Sequence, residues 1–370
     1  MPTLRRFFVV YTDGAELARS SVPPGGLEVA VREFSPLVLP GPHDELYGPD
    51  AGALARLQPR RAFLLAFRRE VSGPAGRFFD ETRQVLLEAV RGLAGVGLDV
   101  LRLWPFSLAL AEERLPDEHL AEDLFSVAFT SMGEHGTRVE TVGLAQLDQP
   151  ELTFTFHGPE LQEEAALMCG HLVDWLLEHG RRLGPHDTLA FGFDRLDFRP
   201  GGAPVGPRLA RAWHHPLITR LLGEAEFPGV GVLEIRTGAG HEPAQPDLTQ
   251  TLRRSLEQRL LLEEYDLTGD APHASATAVV QGSLQGLSEL DAWREEPAEF
   301  RDSGWRFVVR GAPLDERLAV TLAELARRAP GVVRCLALPW GIHLAWDGHG
   351  QLAVDASRVR FDPGVEEEEG

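Results

Sequence analysis

The stretch Asp302-Ser303-Gly304-Trp305-Arg306-Phe307-Val308-Val309 carries the sharpest local structural signal in this sequence. Asp and Ser side chains bond backbone amides in turns, and Gly adopts backbone angles that other residues avoid. After the turn, the alternate residues Trp305, Phe307 and Val309 share one face, as they do in a strand with one buried side. The stretch therefore predicts a turn that leads into a strand, with the Trp305 indole anchored in a core and its N–H bonded to one partner.

The residues around this stretch predict a small α+β domain over residues 276–362. We expect a strand near Ala276–Gln281, a helix over Leu314–Ala329 and a buried apolar segment at Val332–Leu338, from the spacing of their apolar residues. The domain boundary is placed at Asp266–Ser275, because Gly, Asp, Pro and Ser are concentrated there.

A hairpin is predicted to close this domain. Trp340, Ile342, Leu344 and Trp346 alternate with smaller or polar residues, and the Asp-Gly-His-Gly sequence that follows is typical of a turn. The glutamates near the end of the chain repel one another, so residues 363–370 are expected to form an acidic tail.

Residues 1–265 predict a larger α+β unit. It is either one domain or two subdomains with a break near residues 195–207, where Pro and Gly are concentrated over Pro200–Pro207. Its β-rich runs favour antiparallel strands, and apolar residues at helical spacing predict two long helices over residues 161–176 and 248–262. The expected strands are Phe7–Thr12, Leu27–Phe34, Ala62–Arg68, Leu124–Met132, Arg138–Leu144 and Glu151–Phe156. The predicted fold class is thus α+β, with mixed, mainly antiparallel sheets, helices on one face and a small α+β C-terminal domain.

Composition excludes several function classes. The sequence has no lysine and no asparagine, so it lacks the lysine of Walker-type ATPases, of kinases and of pyridoxal enzymes. The net charge is −20, from 36 basic and 56 acidic residues, which disfavours general nucleic-acid binding. No apolar run is long enough for a membrane helix. With two cysteines and no secretory leader pattern, we expect a cytoplasmic protein without a cofactor.

Two groups of histidines and carboxylates are candidate reactive or metal sites. His171, Asp174 and Glu178 share one helix face, but this face lies opposite the apolar stripe, and a solvated surface is the favoured interpretation. The adjacent His214 and His215, with carboxylates such as Glu224 and Glu226 nearby, leave open an alternative function as a small-ligand-binding protein or a hydrolase.

A recognition patch is the second interpretation of the turn at residue 302. Charged side chains there can surround exposed aromatic surface, which is the anatomy of a protein-binding site. The candidate binding residues are Trp293, Arg294, Glu295, Asp302, Ser303, Gly304, Trp305 and Arg306. The alternative is that the same residues only build a turn into a buried strand.

The Trp-Arg-Glu-Glu-Pro and Asp-Ser-Gly-Trp motifs, followed by a helix, residues 336–339 and a hairpin, resemble the Imm-thirty-three type immunity-protein domain of bacterial polymorphic-toxin systems. The resemblance covers about residues 276–362. Upstream, residues 124–127, 139–144 and 149–152 are similar to uncharacterised bacterial domains that accompany such a module. The resemblance implies a toxin as the protein partner and supplies no catalytic residue. The acidic composition of the chain favours a basic partner.

The leading hypothesis is therefore a non-enzymatic cytoplasmic protein-binding module, and the resemblance implies an immunity protein that neutralises a toxin. No metal site is expected. A scaffold whose two domains pack permanently together is a third possibility, and its sign would be a large apolar interface between residues before 266 and residues after 275.

Overall fold

The structure is a computed structural model of the chain. It describes residues 3–18, 26–34, 59–70, 76–100, 104–111, 124–179, 181–201, 231–237, 245, 247–282, 289–299, 301–313, 317–347 and 351–359.

Strands and helices within these ranges confirm the α+β class. The strands are β1 (Thr3–Thr12), β2 (Glu28–Phe34), β3 (Arg61–Glu70), β4 (Gly95–Asp99), β5 (Trp104–Ser107), β6 (Ser126–Ser131), β7 (Thr137–Val142), β8 (Glu151–Phe156), β9 (Thr188–Phe191), β10 (Asp194–Pro200), β11 (Val232–Thr237), β12 (Thr277–Gln281), β13 (Leu290–Arg294), β14 (Asp302–Val309), β15 (Arg317–Thr321), β16 (His343–Trp346) and β17 (Leu352–Asp355). The α-helices are α1 (Gly76–Val90), α2 (Gln162–His179), α3 (Thr249–Glu264) and α4 (Leu322–Arg328).

The strands form three mainly antiparallel sheets. The first has the order β2-β3-β1-β4-β5, the second β6-β7-β8-β11-β10-β9 and the third β15-β12-β14-β13-β16-β17. The pairs β8–β11 and β12–β14 are parallel, so the second and third sheets are mixed, whereas the first is antiparallel throughout. None of the helices in the described ranges combines the length and apolar composition needed to cross a lipid bilayer.

The chain divides into two compact units that are not contiguous in sequence. Described residues within 1–155, 165–185 and 198–234 belong to the first unit, and those within 156–164, 186–197 and 235–370 belong to the second. One division falls between Asp197 and Phe198, inside the range 195–207.

The second unit extends further upstream than the predicted boundary at residues 266–275. Its core contains Trp305, Phe307 and Trp346 of the third sheet together with Leu261 and Leu267. Because Leu261 lies on α3 and buries its side chain here, the helix belongs to this unit rather than to a separate N-terminal domain.

The predicted helix over Leu314–Ala329 is wrong at residues 317–321, which form β15 and pair antiparallel with β12. Within the described part of this range, residues 317–329, the helix spans Leu322–Arg328, and residues 314–316 lie outside the described residues. The switch occurs at Thr321, whose side chain accepts a hydrogen bond of 3.2 Å from the backbone N–H of Glu324. This contact is an N-terminal helix cap, and it explains why α4 begins at Leu322.

The C-terminal hairpin and the buried segment before it are confirmed. Strands β16 and β17 pair antiparallel, and a 3₁₀ helix over Pro330–Cys335 buries Val332 and Val333. Trp340, however, is 50% exposed, whereas Ile342, two residues later, is fully buried. Gly341 has a φ of +87°, so the chain turns between these residues and the strand alternation does not include Trp340.

The first unit contains a buried carboxyl group. Glu151 accepts hydrogen bonds from the Thr141 hydroxyl at 2.8 Å and from the backbone N–H of Gly143 at 2.9 Å. The Thr141 hydroxyl in turn accepts a 2.8 Å bond from the N–H of Leu152. Burial raises the pKa of Glu151 to about 7, although the bonds that it accepts favour its charged form.

Candidate functional site

The third sheet places alternate residues of its strands on opposite faces. One row, across the sheet in register, consists of Leu318, Val280, Phe307, Ala292, Leu344 and Val354. Its four central members, Val280, Phe307, Ala292 and Leu344, belong to the core, whereas Leu318 at the sheet edge is 59% exposed. The next row, on the opposite face, consists of Ala319, Val279, Arg306, Trp293, His343 and Asp355. Direct cross-strand neighbours have Cβ atoms about 5 Å apart. The second row therefore sets Trp293 between Arg306 and His343, away from the core.

The turn at the start of β14 is held by its own side chains and by close backbone packing. Asp302 Oδ1 accepts a 3.0 Å bond from the N–H of Gly304, and the Ser303 hydroxyl donates to the carbonyl of Thr277 at 2.7 Å. Gly304 has a φ of +75°, and a Cβ there would lie 2.0 Å from the carbonyl oxygen of Glu295. Ser303 and Gly304 are both buried, so they stabilise the turn and do not contribute exposed surface to a recognition patch.

Trp305 is fully buried and does not contribute exposed aromatic surface. Its indole N–H donates to the carbonyl of Leu336 at 3.2 Å, and its ring stacks on Phe307 with centroids 5.6 Å apart. At this residue the structure bears out the interpretation as a turn into a buried strand.

Arg294 lines the adjacent cavity, but its guanidinium is turned onto backbone carbonyls. Nη1 donates to Leu338 at 2.6 Å and to Asp270 at 3.2 Å, and Nε donates to Ser303 at 3.3 Å. The side chain is 8% exposed, and burial lowers the pKa of Arg294 to about 10. Arg294 thus ties three segments of the chain together at the base of the cavity.

The remaining predicted residues form a connected polar chain on the outer face. The Trp293 indole N–H donates to Glu295 Oε1 at 3.0 Å, and Glu295 Oε2 accepts from Arg306 Nε at 3.1 Å. Arg306 also donates to both carboxylate oxygens of Asp302, at 3.0 and 2.9 Å. The Arg306 guanidinium lowers the pKa of Asp302 to about 2. Trp293, Glu295, Asp302 and Arg306 are therefore brought together, as a recognition patch requires.

A cavity of about 1040 Å³ opens beside these four linked side chains, within the second unit. Its walls are formed by three segments and a few residues of the last hairpin. The lining residues are Gly269, Asp270, Trp293, Arg294, Glu295, Glu296, Pro339, Trp340, Gly341, Ile342, His343, Asp355 and Arg358. We call it the Trp293–Trp340 cleft, because these two tryptophans are its large aromatic side chains.

Sequence reasoning missed most of the cleft residues that come from the C-terminal hairpin. Trp340, His343 and Asp355 were not among the predicted site residues, because they come from the hairpin, which reaches Trp293 only through strand pairing. The available signal was the His343 position, which alternates with the buried Ile342 and Leu344 and therefore had to face outward.

The cleft carries more carboxylates than cations. Asp270, Glu295, Glu296 and Asp355 line it, against Arg294, which is largely buried, and Arg358. The backbone N–H of Ser357 donates to Asp355 at 2.9 Å, and this bond is the main reason that the pKa of Asp355 is lowered. Asp355 therefore remains negatively charged near neutral pH.

The other candidate residues lie elsewhere. His171, Asp174 and Glu178 are exposed on α2, and the part of the chain that the structure describes contains no cluster of three or more groups able to hold a metal ion. Cys169 and Cys335 are free and buried, and burial raises the pKa of each thiol to about 12. His214, His215, Glu224 and Glu226 lie outside the described residues.

Comparisons with protein-family models, with curated proteins and with solved structures found no match to this chain.

Proposed function

We propose that this chain is a non-enzymatic cytoplasmic protein-binding protein whose contact surface is the Trp293–Trp340 cleft. The observation that carries the proposal is that two tryptophans with accessible surface line one cavity, inside a rim of charged side chains. Tryptophan is enriched among the residues that dominate binding energy in protein interfaces, and a polar rim is their usual surrounding.

The chemistry of the cleft favours a basic partner. Its rim has an excess of carboxylates, and the whole chain has a net charge of −20. Opposite charges on two proteins accelerate their association and make it sensitive to salt. The resemblance to immunity-protein domains implies a toxin as the partner, and these charges favour a basic one.

Rigid support makes the surface suitable for recognition. Trp293 is held by the hydrogen bond to Glu295, and Glu295 is held by Arg306, so the indole is fixed before a partner arrives. Preorganised side chains lose less conformational entropy on binding than mobile ones do.

Affinity capture with the full chain tests this proposal. The tagged wild-type protein should retain one stoichiometric basic protein from its native cells, and the purified pair should reassemble at a one-to-one ratio. Trp340→Ala and Trp293→Ala should each weaken the reassembled complex by about tenfold or more, as substitutions of central interface tryptophans commonly do. Trp175→Phe, which alters a tryptophan outside the cleft, should bind like the wild type.

Unfolding in urea separates loss of binding from loss of fold. The exposed Trp340 side chain should be replaceable by alanine with little change in the free energy of unfolding. Absence of a stoichiometric partner, or a partner that binds Trp293→Ala and Trp340→Ala as tightly as the wild type, would overturn the proposal.

A further inference from the structure

We infer that the Trp293–Trp340 cleft captures an arginine side chain that the partner presents. The inference rests on the proposed function and specifies the chemical group that the cleft recognises.

The first ground is the negative charge of the carboxylates that line the cleft. Among the residues that the structure describes, the carboxylates of Asp270 and Glu296 form no hydrogen bond or ion pair with the protein, and the one charge that acts on Asp270 is that of the largely buried Arg294, whose hydrogen bonds go to carbonyl oxygens. Glu295, by contrast, is already engaged by Trp293 and Arg306. Two carboxylates in one cavity are therefore available to a cation from outside.

The second ground is the state of the two indole rings. This chain places guanidinium groups over aromatic rings elsewhere: Arg6 lies 4.5 Å from the ring centroid of Phe8, and Arg61 lies 5.1 Å from that of Phe63. Within the described ranges, no arginine is stacked in this way on Trp293 or Trp340. Tryptophan is the best aromatic partner for a cation, so these rings offer a vacant surface of the right kind.

The third ground is the shape of the group. A guanidinium is planar and weakly hydrated, so it can stack on an indole while its N–H groups reach carboxylates at the ring edge. An ammonium is compact and strongly hydrated, and it makes no planar stack. The combination of tryptophan faces with free carboxylates therefore favours arginine over lysine.

The cations already in the cleft do not fill this role. Arg294 donates its hydrogen bonds to carbonyl oxygens and lies 6.0 Å from the centroid of the buried Trp305 ring. Arg358 is exposed, and its charge lowers the pKa of Asp355. We expect Arg358 to compete with the incoming guanidinium, so its removal should strengthen binding.

Titration of the full-length protein with a small probe tests the inference. The probe is the N-acetylated tripeptide amide of glycine, arginine and glycine, and its matched control contains citrulline, which has nearly the same shape without the charge. Indole N–H signals in ¹⁵N NMR spectra report the contact, and Trp293→Phe and Trp340→Phe assign the two signals of interest. The arginine peptide should shift these two signals and leave that of Trp175 unchanged.

The expected differences are large enough to measure. The citrulline peptide and the Asp270→Asn/Glu296→Gln variant should each show about tenfold weaker binding, which corresponds to about 1.4 kcal/mol. Asp174→Asn/Glu178→Gln makes the same charge change on the exposed face of α2 and should leave the affinity within about twofold, because neither residue lines the cleft and exposed charges are screened by salt. Arg358→Ala should bind the arginine peptide more tightly.

Equal binding of the arginine and citrulline peptides, or shifts that miss both cleft indoles, would overturn the inference. This result differs from failure of the proposed function. A partner that is still captured, and is lost with Trp340→Ala, would keep the cleft as a contact surface while excluding arginine as the group that it recognises.

Discussion

At the scale of single residues, the turn before β14 shows how one motif can serve structure and surface together. Gly304 and Trp305 are buried, whereas Trp293 and Glu295 reach the cleft. The sequence predicted the turn and the buried Trp305, because both follow from local turn chemistry and alternation. It could not predict that Trp340 is exposed, since this depends on the positive φ of Gly341 and on which strands become neighbours.

Replacing Gly304 by alanine should destabilise the protein strongly. The new Cβ would meet the backbone carbonyl of Glu295, and alanine disfavours the positive φ at this position. We expect a loss of about 2–4 kcal/mol in the free energy of unfolding, measured with urea. Gly311→Ala is the matched control, because Gly311 also has a positive φ but no atom within 4 Å of the added Cβ. Equal losses in the two variants would show that close packing at Gly304 is unimportant.

The buried Glu151 should make stability depend on pH. Because its pKa is raised to about 7 in the folded protein, it stays protonated there at pH values where the unfolded chain is ionised. The contribution of Glu151 to the free energy of unfolding, about 3 kcal/mol, is therefore fully present below about pH 4.5. It is lost as the pH rises through 7.

Unfolding of the wild type and of Glu151→Gln between pH 4.5 and 8 measures this contribution. Subtracting the free energy of unfolding of the variant from that of the wild type removes the contributions of the titrating groups that both proteins share. The wild type should therefore lose stability relative to the variant as pH rises. A difference that is constant, or that favours the wild type at high pH, would mean that the bonds from Thr141 and Gly143 keep Glu151 charged.

At the scale of secondary structure elements, strands with a clear alternation were predicted well, and the junction of β15 with α4 was not. Residues 317–328 contain apolar residues that fit both a strand and a helix, and the choice was made by pairing of β15 with β12. The sequence did contain a signal for the boundary: Thr321 and Glu324 have the spacing of a capping box. That signal would have placed the start of the helix correctly.

The helix cap predicts a modest stability change. Thr321→Ala removes the side-chain bond to the Glu324 N–H and should lower the free energy of unfolding by about 1 kcal/mol. Thr321→Ser keeps the hydroxyl and should retain most of the stability in the same urea experiment. An alanine variant as stable as the serine variant would contradict the capping role.

At the scale of the whole molecule, the two units interleave along the sequence, which no local pattern reveals. Apolar periodicity predicted α3 itself, but the core that α3 joins was decided by the contacts of Leu261 with residues far along the chain. The predicted boundary at 266–275 followed composition alone. The cleft depends on this assembly as well, since its walls come from segments that begin at Gly269 and end at Arg358.

Neighbouring leucines on α3 test the assignment of this helix to the second unit. Leu261 is buried in its core, whereas Leu260 is 50% exposed. Leu261→Ala should cost about 2–4 kcal/mol of unfolding free energy, and Leu260→Ala should cost less than about 1 kcal/mol. The loss should appear in the near-ultraviolet circular dichroism transition, to which the buried Trp305 and Trp346 contribute. Similar losses for both variants would place α3 outside this core.

Amide hydrogen exchange on the captured complex tests most directly whether the cleft is the contact surface. Partner binding should slow exchange in peptides that cover residues 293–296 and 339–343, relative to the free protein, and leave the exposed face of α2 unchanged. Protection confined to other parts of the chain, with unchanged exchange in both of these segments, would contradict the assignment of the Trp293–Trp340 cleft as the binding site.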